Sequence, residues 1–464
     1  MTATRTIIHD LLDALRGTEQ DYTRGSTRRA VVLLAIPMIL EMAMESVFAI
    51  VDVFFVAGLG PSAVATVGIT ESILTLVYAV AIGLSMGTTA MVARRIGEKK
   101  PGEAADTAVQ AVIVGILGSI PIALLGWFFA RQVLATMGAD AWSIEHGSRY
   151  AMWMLGGNVV IMLIFICNAI FRGAGDAAMA MRILWLANGI NIFLDPALIR
   201  GWGPFPEMGI EGAAVATNIG RAVGVAVQLF VLARGAKHIR VLVPQIRVRA
   251  ALLGRLVRLS LGGIAQLIIA TSSWVGLVRI MATFGSEAMA GYTIAVRIIM
   301  FTFLPSWGLS NAAATLVGQN LGARQPDRAE RSAWMIGWTN MVLLGLVGLC
   351  YYVFDEQLVR IFTRDSGVIA SGADCLRTVS VGYPFYAWGM VLTQAFNGAG
   401  DTVTPTRINL LCFWLLEIPF AYLFALRLGA GEPGVYWSIV LSESLVGLIS
   451  IWIFRRGHWK LREV

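Results

Sequence analysis

Long runs of apolar residues, separated by short polar and basic stretches, fill the sequence from about residue 30 to residue 455. Runs of roughly 20 residues match the length of an α-helix that crosses a bilayer. They lack the alternation of apolar and polar residues that the strands of a membrane barrel show. Since only helices and closed barrels satisfy their backbone groups in lipid, the pattern predicts an all-α membrane protein. The twelve predicted spans cover residues 30–57, 67–93, 106–129, 150–171, 182–199, 212–233, 255–281, 288–317, 332–354, 375–396, 407–426 and 434–454.

Composition excludes a water-soluble protein. Of 464 residues, 57% are hydrophobic and 14% charged, and the mean hydropathy is +0.71, whereas soluble domains carry about 25% charged residues. Four cysteines are too few for a disulfide scaffold. The net charge of +7 does not indicate nucleic-acid binding, because the basic residues stand at the ends of the apolar runs.

The basic residues also predict the orientation in the membrane. Lysine and arginine concentrate in alternate loops, above all in residues 1–29, 94–105 and 234–258. The positive-inside rule then places both termini in the cytoplasm of a multi-pass plasma-membrane protein. Residues 1–29 lack the apolar core of a signal peptide. Apolar residues at helical spacing within this segment predict a short amphipathic helix on the membrane surface; they are Ile7, Ile8, Leu11, Leu12 and Leu15.

The second half of the chain repeats the first half at one constant offset. Gly60 aligns with Gly285, Pro101 with Pro326, and the Gly-Ala-Gly-Asp run that begins at residue 173 with the one that begins at 398. Each repeat holds six spans, so we expect two parallel, pseudo-symmetric six-helix bundles with a cleft for alternating access. The predicted divisions are a cytoplasmic segment 1–29, an N-terminal lobe 30–233, a basic linker 234–254, a C-terminal lobe 255–455 and a tail 456–464.

This organisation favours a secondary transporter. No Walker-type nucleotide motif is present, so we expect an ion gradient to drive transport, with no cofactor. A channel is disfavoured by the two-lobe repeat. A membrane-embedded enzyme is disfavoured because no acidic metal motif is visible, and the four histidines all fall outside the predicted spans.

Several segments resemble the multidrug and toxic compound extrusion (MATE) family. They are Leu-Val-Gly-Gln-Asn-Leu-Gly-Ala at 316–323, Arg-Gly-Ala-Gly-Asp at 172–176 and Val-Asp-Val-Phe-Phe-Val at 51–56. The run Asn-Ile-Phe-Leu-Asp-Pro at 191–196 is similar to the DinF-like branch of that family. The resemblance spans nearly the whole chain from residue 30. It implies antiport that exports organic cations and other toxic amphipathic compounds in exchange for H⁺ or Na⁺.

Acidic residues distinguish the N-terminal lobe from its repeat. The aligned pairs are Asp52 with Leu277, Asp195 with Phe420, Asn191 with Leu416, Glu41 with Gln266 and Glu45 with Ala270. A carboxylate at membrane depth costs about 2.5–3.5 kcal/mol, so such residues usually face a cavity and serve a function. At 100° per residue, Glu41, Glu45 and Asp52 fall within about 40° of one another on one helix.

The resemblance implies that a cluster of Asp52, Asp195, Asn191 and Thr217 responds to the coupling cation. The alternative is that the two aspartates only pin neighbouring helices together. Further candidates for the substrate cavity are Glu41, Glu45, Asn188 and Met38. Pro37 is a candidate hinge, because proline removes a helix hydrogen bond and permits a bend. We expect protonation of the aspartates to close the lobe cavity and release the substrate.

The coupling ion is expected to be H⁺, since the C-terminal lobe has Gln266 where the Na⁺-coupled branch of the family carries an acid. Na⁺ binding at Asp52, Asn191, Asp195 and Thr217 stays open, and no other metal site is expected. A lipid-intermediate flippase of the wider superfamily is the rival function. Glu417 and Glu443 are expected to pair with Arg279 and Arg297. The expected partners are amphipathic or cationic substrates and membrane lipids, and the chain is expected to be a monomer.

Overall fold

The computed structural model describes residues 2–18, 20–235 and 238–463, with side chains from residue 9 onward. Its backbone is built of helices joined by short turns. In chain order the α-helices are α1 Thr2–Arg16, α2 Thr27–Ala57, α3 Pro61–Gly97, α4 Pro101–Thr136, α5 Ala141–His146, α6 Ser148–Gly156, α7 Asn158–Gly173, α8 Ala177–Arg200, α9 Ile210–Arg234, α10 Ala250–Met281, α11 Ser286–Gly322, α12 Pro326–Val353, α13 Asp355–Arg360, α14 Ser366–Ser380, α15 Tyr383–Gly398, α16 Val403–Arg427 and α17 Glu432–Arg455. Within α16, residues 410–417 and 422–427 are π-helical.

The helical membrane architecture is confirmed. Among the described residues, eleven helical segments are long and apolar enough to span a membrane. The tenth predicted span, 375–396, differs because two helices, α14 and α15, share it. They separate at Gly382, just before Pro384, where proline removes a backbone donor and limits the preceding residue. The fourth predicted span has the same construction, since α6 and α7 meet at Gly157.

The backbone shows the same repeat as the sequence. Lys99 and Arg324, which occupy equivalent turns, are the non-glycine residues with positive φ in the described chain, at 61° and 58°. Gly60 and Gly285 have φ of 104° and 100° at the starts of α3 and α11. Because a left-handed backbone strains residues with a Cβ atom, these shared values mark turns that both repeats need.

The helices group into two compact units that divide the chain differently from the predicted lobes. Unit 1 contains Met1–Gln20 and Leu40–Ile264, and unit 2 contains Asp21–Ile39 and Ala265–Val464. The first part of α2 therefore belongs to unit 2, and the first part of α10 belongs to unit 1. Helix α10 also begins at Ala250, within the predicted linker. Lys237 of that linker lies outside the described residues.

In unit 2, Arg328 at the start of α12 explains why residues 21–39 belong there. Its guanidinium donates hydrogen bonds to the carbonyl oxygens of Tyr22, Arg24 and Gly25, at 3.1, 3.0 and 2.8 Å. One side chain thus holds the turn that leads into α2. Hydropathy does not predict this contact. In the sequence, Arg328 is one of the basic residues that indicate a cytoplasmic loop, and nothing marks it as a hydrogen-bond donor to residues 22–25.

In unit 1, α4 holds the segment that leads into α10 in a similar way. The amide of Gln110 donates to the carbonyl of Arg247 at 2.8 Å and accepts from the backbone N–H of Arg249 at 2.9 Å. The Arg249 guanidinium forms an ion pair with Asp106 at 2.6 Å. These contacts fix the start of α10 on unit 1.

The predicted N-terminal amphipathic helix is present as α1. Leu11, Leu12 and Leu15 are exposed, while Ala14 is buried. Arg182 of α8 donates a hydrogen bond to the Leu15 carbonyl at 2.7 Å, which ties α1 to unit 1. The side chains of Ile7 and Ile8 lie outside the described residues.

Candidate functional site

Asn191, Asp195 and Thr217 form a buried polar cluster where α8 and α9 pack together in unit 1. Gly220 of α9 lies directly against the backbone of α8 at Ala187 and Asn191, where a Cβ atom would clash. The missing side chain lets the two helices approach closely. Asn191 then donates both amide hydrogens, one to Thr217 Oγ1 at 3.0 Å and one to Asp195 Oδ1 at 3.3 Å.

Two oxygen atoms of this cluster lack a hydrogen-bond partner among the described residues. They are Asn191 Oδ1 and Asp195 Oδ2, and both are buried. An unsatisfied buried acceptor costs about 1–3 kcal/mol, so a native protein usually gives it a partner. A proton on Asp195, or a small cation shared by the two oxygens, supplies what these acceptors need.

Asp52 of α2 belongs to the same region of unit 1. Its carboxyl group lies within electrostatic range of Asp195 and of Glu71 on α3. The buried Tyr150 lies within electrostatic range of all three carboxyl groups. The structure therefore brings the two predicted aspartates together and adds Glu71, which the sequence analysis did not single out.

Glu45 contributes to a second cluster, which contains an arginine. Arg221 of α9 lies 3.8 Å from Glu45 and donates a hydrogen bond to the Tyr78 hydroxyl at 3.2 Å. Its guanidinium carbon lies 5.6 Å from the centroid of the Phe48 ring, within the range of a cation–π contact. Asn188 donates to the other oxygen of Glu45 at 3.0 Å. The Arg221 guanidinium is thus a cation that the Glu45 carboxylate and the rings of Phe48 and Tyr78 already bind.

Glu41 lies in a third, more enclosed cluster. It is fully buried and forms an ion pair with Arg172 at 2.7 Å. Asn168 donates to the same carboxylate oxygen at 3.0 Å, and Gln228 donates to Asn168 at 2.6 Å. This arrangement favours a structural role for Glu41 over the predicted contact with substrate, because its charge is already compensated.

Met38 and Pro37 precede the three acids on α2. Both lie in the part of α2 that belongs to unit 2. Met38 is buried, and its carbonyl lies where a side chain on Gly308 of α11 would stand. Close helix packing thus explains Met38, and the structure gives no support to its predicted place in the substrate cavity. Pro37 lies inside α2, two residues before the boundary between the units.

The sequence analysis missed two arginines that organise these clusters. Arg221 stands within an apolar span, and an intramembrane arginine is itself a sign of a buried acidic partner. Arg172 belongs to a loop motif and reads as a topology signal. Asn168, which donates to the same Glu41 oxygen as Arg172, lies four residues earlier on α7, a spacing that places both side chains on one helix face. The four-residue spacing of Asn168 and Arg172 is visible in the sequence and could have predicted a shared polar partner.

The chain matches the MatE family over residues 37–197 and 263–423, one match in each repeat. The chain belongs to the MatE family. It is thus a membrane transporter, and the predicted resemblance to the multidrug and toxic compound extrusion family is confirmed. Membership of the DinF-like branch stays a prediction.

Curated relatives and solved structures match this chain over nearly its full length. The chain is 25% identical to the probable multidrug resistance protein NorM of Thermotoga maritima, covering 94% of both chains. It is 24% identical to the probable multidrug resistance protein YoeA of Bacillus subtilis, covering 96% of this chain and 97% of that one. A MOP superfamily transporter from Pyrococcus furiosus superposes with a TM-score of 0.88 at 25% identity, covering 98% and 99%. An outward-facing multidrug resistance MATE transporter gives 0.87 at 26% identity, covering 94% and 97%.

Proposed function

We propose that this MatE transporter is a multidrug antiporter that exports cationic and amphipathic compounds in exchange for protons, at the Asp52–Asp195 cluster of unit 1. The observation that carries the proposal is the buried Asp195 carboxyl group. One of its oxygens has no partner in the described residues, and Asp52 and Glu71 lie near the same tyrosine. The multidrug resistance names of the NorM and YoeA relatives support the same class of substrate.

Proton entry and substrate export are coupled because a proton and a cationic substrate compete for the same carboxylates. Three carboxyl groups lie within electrostatic range of Tyr150, while Arg221 is engaged by Glu45 and Tyr78. Desolvation disfavours the charged form of a carboxyl group, and an adjacent cation restores it. A proton and an organic cation therefore compete for the same carboxylates, which titrate as a coupled group. Protonation removes the charge that holds the substrate.

Pro37 offers the hinge for the conformational step. It has no N–H to donate to the carbonyl four residues earlier, so α2 bends there at lower cost. The same helix carries Asp52 fifteen residues further on, and α2 passes from one unit to the other after Ile39. We propose that protonation of Asp52 and Asp195 changes the bend of α2 and releases the substrate.

Sodium is the alternative coupling ion, because carboxylate, amide and hydroxyl oxygens also suit Na⁺. The flippase alternative is less well supported. In unit 1, Arg172 and Arg221 are each paired with a glutamate, so neither offers an uncompensated cation to an anionic headgroup. Arg279 and Arg297 of unit 2 form no such pair in the described residues and are what still favours a flippase. We further propose that the protein acts as a monomer in the plasma membrane, surrounded by lipid, with both termini in the cytoplasm.

Transport in proteoliposomes tests the proposal. A cationic dye is followed while an H⁺ gradient or a Na⁺ gradient is imposed separately, for the wild type, Asp52→Asn and Asp195→Asn. We expect the H⁺ gradient to drive dye exchange in the wild type and both variants to fall to near background. Glu356→Gln is the matched control, since Glu356 is exposed on α13 and pairs with Arg360.

Each outcome bears on a specific part of the proposal. Undiminished proton-driven exchange in both aspartate variants contradicts the assigned site. Exchange driven by Na⁺ alone, and lost in the same variants, keeps the site and changes the ion. An anionic lipid moved in place of the dye favours the flippase.

A further inference from the structure

Unit 2 contains two buried or half-buried glutamates that the mechanism above does not use. Glu417 lies on α16 and Glu443 on α17, the counterparts of α8 and α9 in unit 1. The sequence analysis expected them to pair with Arg279 and Arg297. That expectation was wrong, because in the described residues both arginines are exposed and neither forms an ion pair with a glutamate.

Glu417 lies at the end of a π-helical stretch, which affects the direction of its side chain. In unit 1, α8 is α-helical throughout, whereas α16 is π-helical over residues 410–417. Glu417 is the last residue of this stretch and follows Leu416, the counterpart of Asn191. A π-helix bonds from i to i+5, so it rotates the residues that follow relative to an α-helix, and such segments are frequent at functional sites. The constant sequence offset aligns Glu417 with the apolar Ile192. The π-helix changes the direction of the Glu417 side chain, so the alignment does not predict where this acid lies.

The two hydrogen-bond contacts of Ser273 leave room for a proton on Glu417. Ser273 Oγ lies 2.6 Å from Glu417 Oε2 and 2.9 Å from the Phe413 carbonyl oxygen. A hydroxyl group has one hydrogen and cannot donate to both. When Ser273 donates to Phe413, the short approach to Glu417 requires a hydrogen from the glutamic acid itself.

The surroundings of Glu417 agree with this reading. The side chain is buried, with 5% of the residue exposed, and an uncompensated carboxylate there costs several kcal/mol. The titratable groups within electrostatic range are Tyr292, near Glu417, and Tyr386 and Cys412, near both glutamates. No lysine or arginine of the described residues is among them, so only a proton or an incoming cation neutralises this pair.

Tyr386 supplies an independent sign of a ligand. It is 1% exposed, and its hydroxyl has no hydrogen-bond partner in the described part of the chain. The same hydroxyl lies within electrostatic range of both Glu443 and Glu417. An unpartnered buried hydroxyl in a native structure calls for an explanation such as a proton-transfer role or a bound water or ion.

We propose that Glu417 and Glu443 form a second proton-exchange site, within unit 2, in which Glu417 carries the proton. In the protonated state Glu417 donates to Ser273, and Ser273 donates to the Phe413 carbonyl. When the proton leaves Glu417 for water, Ser273 turns its hydrogen to Glu417 Oε2, and the Phe413 carbonyl loses its donor. One proton passes from the Glu417 carboxyl group to water, the Ser273 hydrogen bond switches, and no other covalent bond is made or broken. The site does not depend on the assigned role of Asp52 and Asp195.

Infrared difference spectroscopy of the purified full-length protein tests this proposal. Spectra are recorded from acid to alkaline pH for an Asp195→Asn protein with and without Glu417→Gln, so that carboxyl groups common to both proteins, including those left in unit 1, cancel in the comparison. We expect Glu417→Gln to remove a protonated-carboxyl C=O band at neutral pH and a carboxylate band at alkaline pH. Glu356→Gln, at an exposed site, removes only a carboxylate band at neutral pH.

Other outcomes overturn the proposal. If Glu417→Gln removes a carboxylate band at neutral pH, Glu417 is ionised there and carries no proton. A spectral change on exchanging choline for Na⁺ at fixed pH, lost in Glu417→Gln, assigns a metal cation to the site instead. Should Glu417→Gln not fold, Ser273→Ala serves in its place. It keeps the carboxyl group and is expected to shift the C=O band, whereas an unchanged band contradicts the hydrogen-bond arrangement.

Discussion

The two units share a backbone but differ in the chemistry of equivalent side chains, most clearly at one buried pair. In unit 1, Arg172 donates to Glu41 at 2.7 Å. At the equivalent positions of the repeat, unit 2 has Gln266 and Asn397, which donate to each other at 3.0 and 3.2 Å. A neutral amide pair thus satisfies the same position without any buried charge. The fold does not require the ion pair, so the charge is a property specific to unit 1.

The same contrast continues through the centre of each unit. Asp52, Asn191 and Asp195 correspond to leucine, leucine and phenylalanine in unit 2, where buried tyrosines also line the core. Turns and helix starts coincide, since Gly60 and Gly285 adopt the same backbone angles. Backbone signals at helix ends therefore specify the shared fold, whereas side chains in the helix middles distinguish the chemistry of the two units.

The largest effect is expected when the buried ion pair is broken on one side only. Arg172→Asn leaves the Glu41 carboxylate without its cation, and breaking one partner of a buried pair costs about 3–5 kcal/mol. The double variant Glu41→Gln/Arg172→Asn installs the pair found in unit 2, and we expect it to recover most of that loss. The free energy of unfolding in detergent, from denaturant titration, measures both.

Asn397→Ala is the matched control in unit 2. It removes a neutral partner, so the loss is expected to be smaller, about 1–3 kcal/mol. Gln266 keeps its hydrogen bond to the Thr402 carbonyl at 3.1 Å in that variant. A double variant as unstable as Arg172→Asn alone shows that the two units do not tolerate the same pair, and the comparison fails.

Much of the fold was predictable because apolar runs and a constant offset are strong signals. The positions of Asp52, Asn191, Asp195 and Thr217 followed from the resemblance and from the divergence between repeats. The partners of Glu41 and Glu45 did not, because Arg172 and Arg221 come from distant helices and only packing joins them to the acids.

Two further features depend on local geometry that sequence patterns do not carry. The first part of α2 belongs to unit 2, where Arg328 donates to three backbone carbonyls just before that helix. A hydropathy pattern does not predict such contacts. Glu417 faces Ser273 because α16 is π-helical there. An offset of whole residues assumes equal helix geometry in both units, so it aligned Glu417 with the apolar Ile192 and did not predict the contact with Ser273.

The smallest effect is expected at a cap that both units share. Asp140 accepts a hydrogen bond from the Ser143 N–H at the start of α5, and Asp365, its counterpart in the second repeat, accepts from Gly367 and Val368 at the start of α14. Since both side chains satisfy free helix N–H groups, Asp140→Ala and Asp365→Ala should each lower the melting temperature slightly and to a similar degree.

The pH dependence sharpens that prediction for Asp140. Hydrogen bonds from the side chain and the backbone N–H of Ser143 lower the pKa of Asp140 below its ordinary value. Its stabilising contribution is therefore present above the pKa of the unfolded chain and is lost as the pH falls through the lower pKa of the folded state. The difference between wild type and Asp140→Ala should disappear in acid. A difference that grows in acid contradicts this assignment.

Proton release on substrate binding tests the central claim most directly. A cationic dye is added to purified protein in weakly buffered detergent solution at fixed pH, with a pH indicator reporting released protons and dye fluorescence reporting binding. The wild type is expected to release protons in step with dye binding, and the double variant Asp52→Asn/Asp195→Asn to release far fewer for each dye bound. Equal proton release per bound dye in the double variant contradicts exchange at these two aspartates.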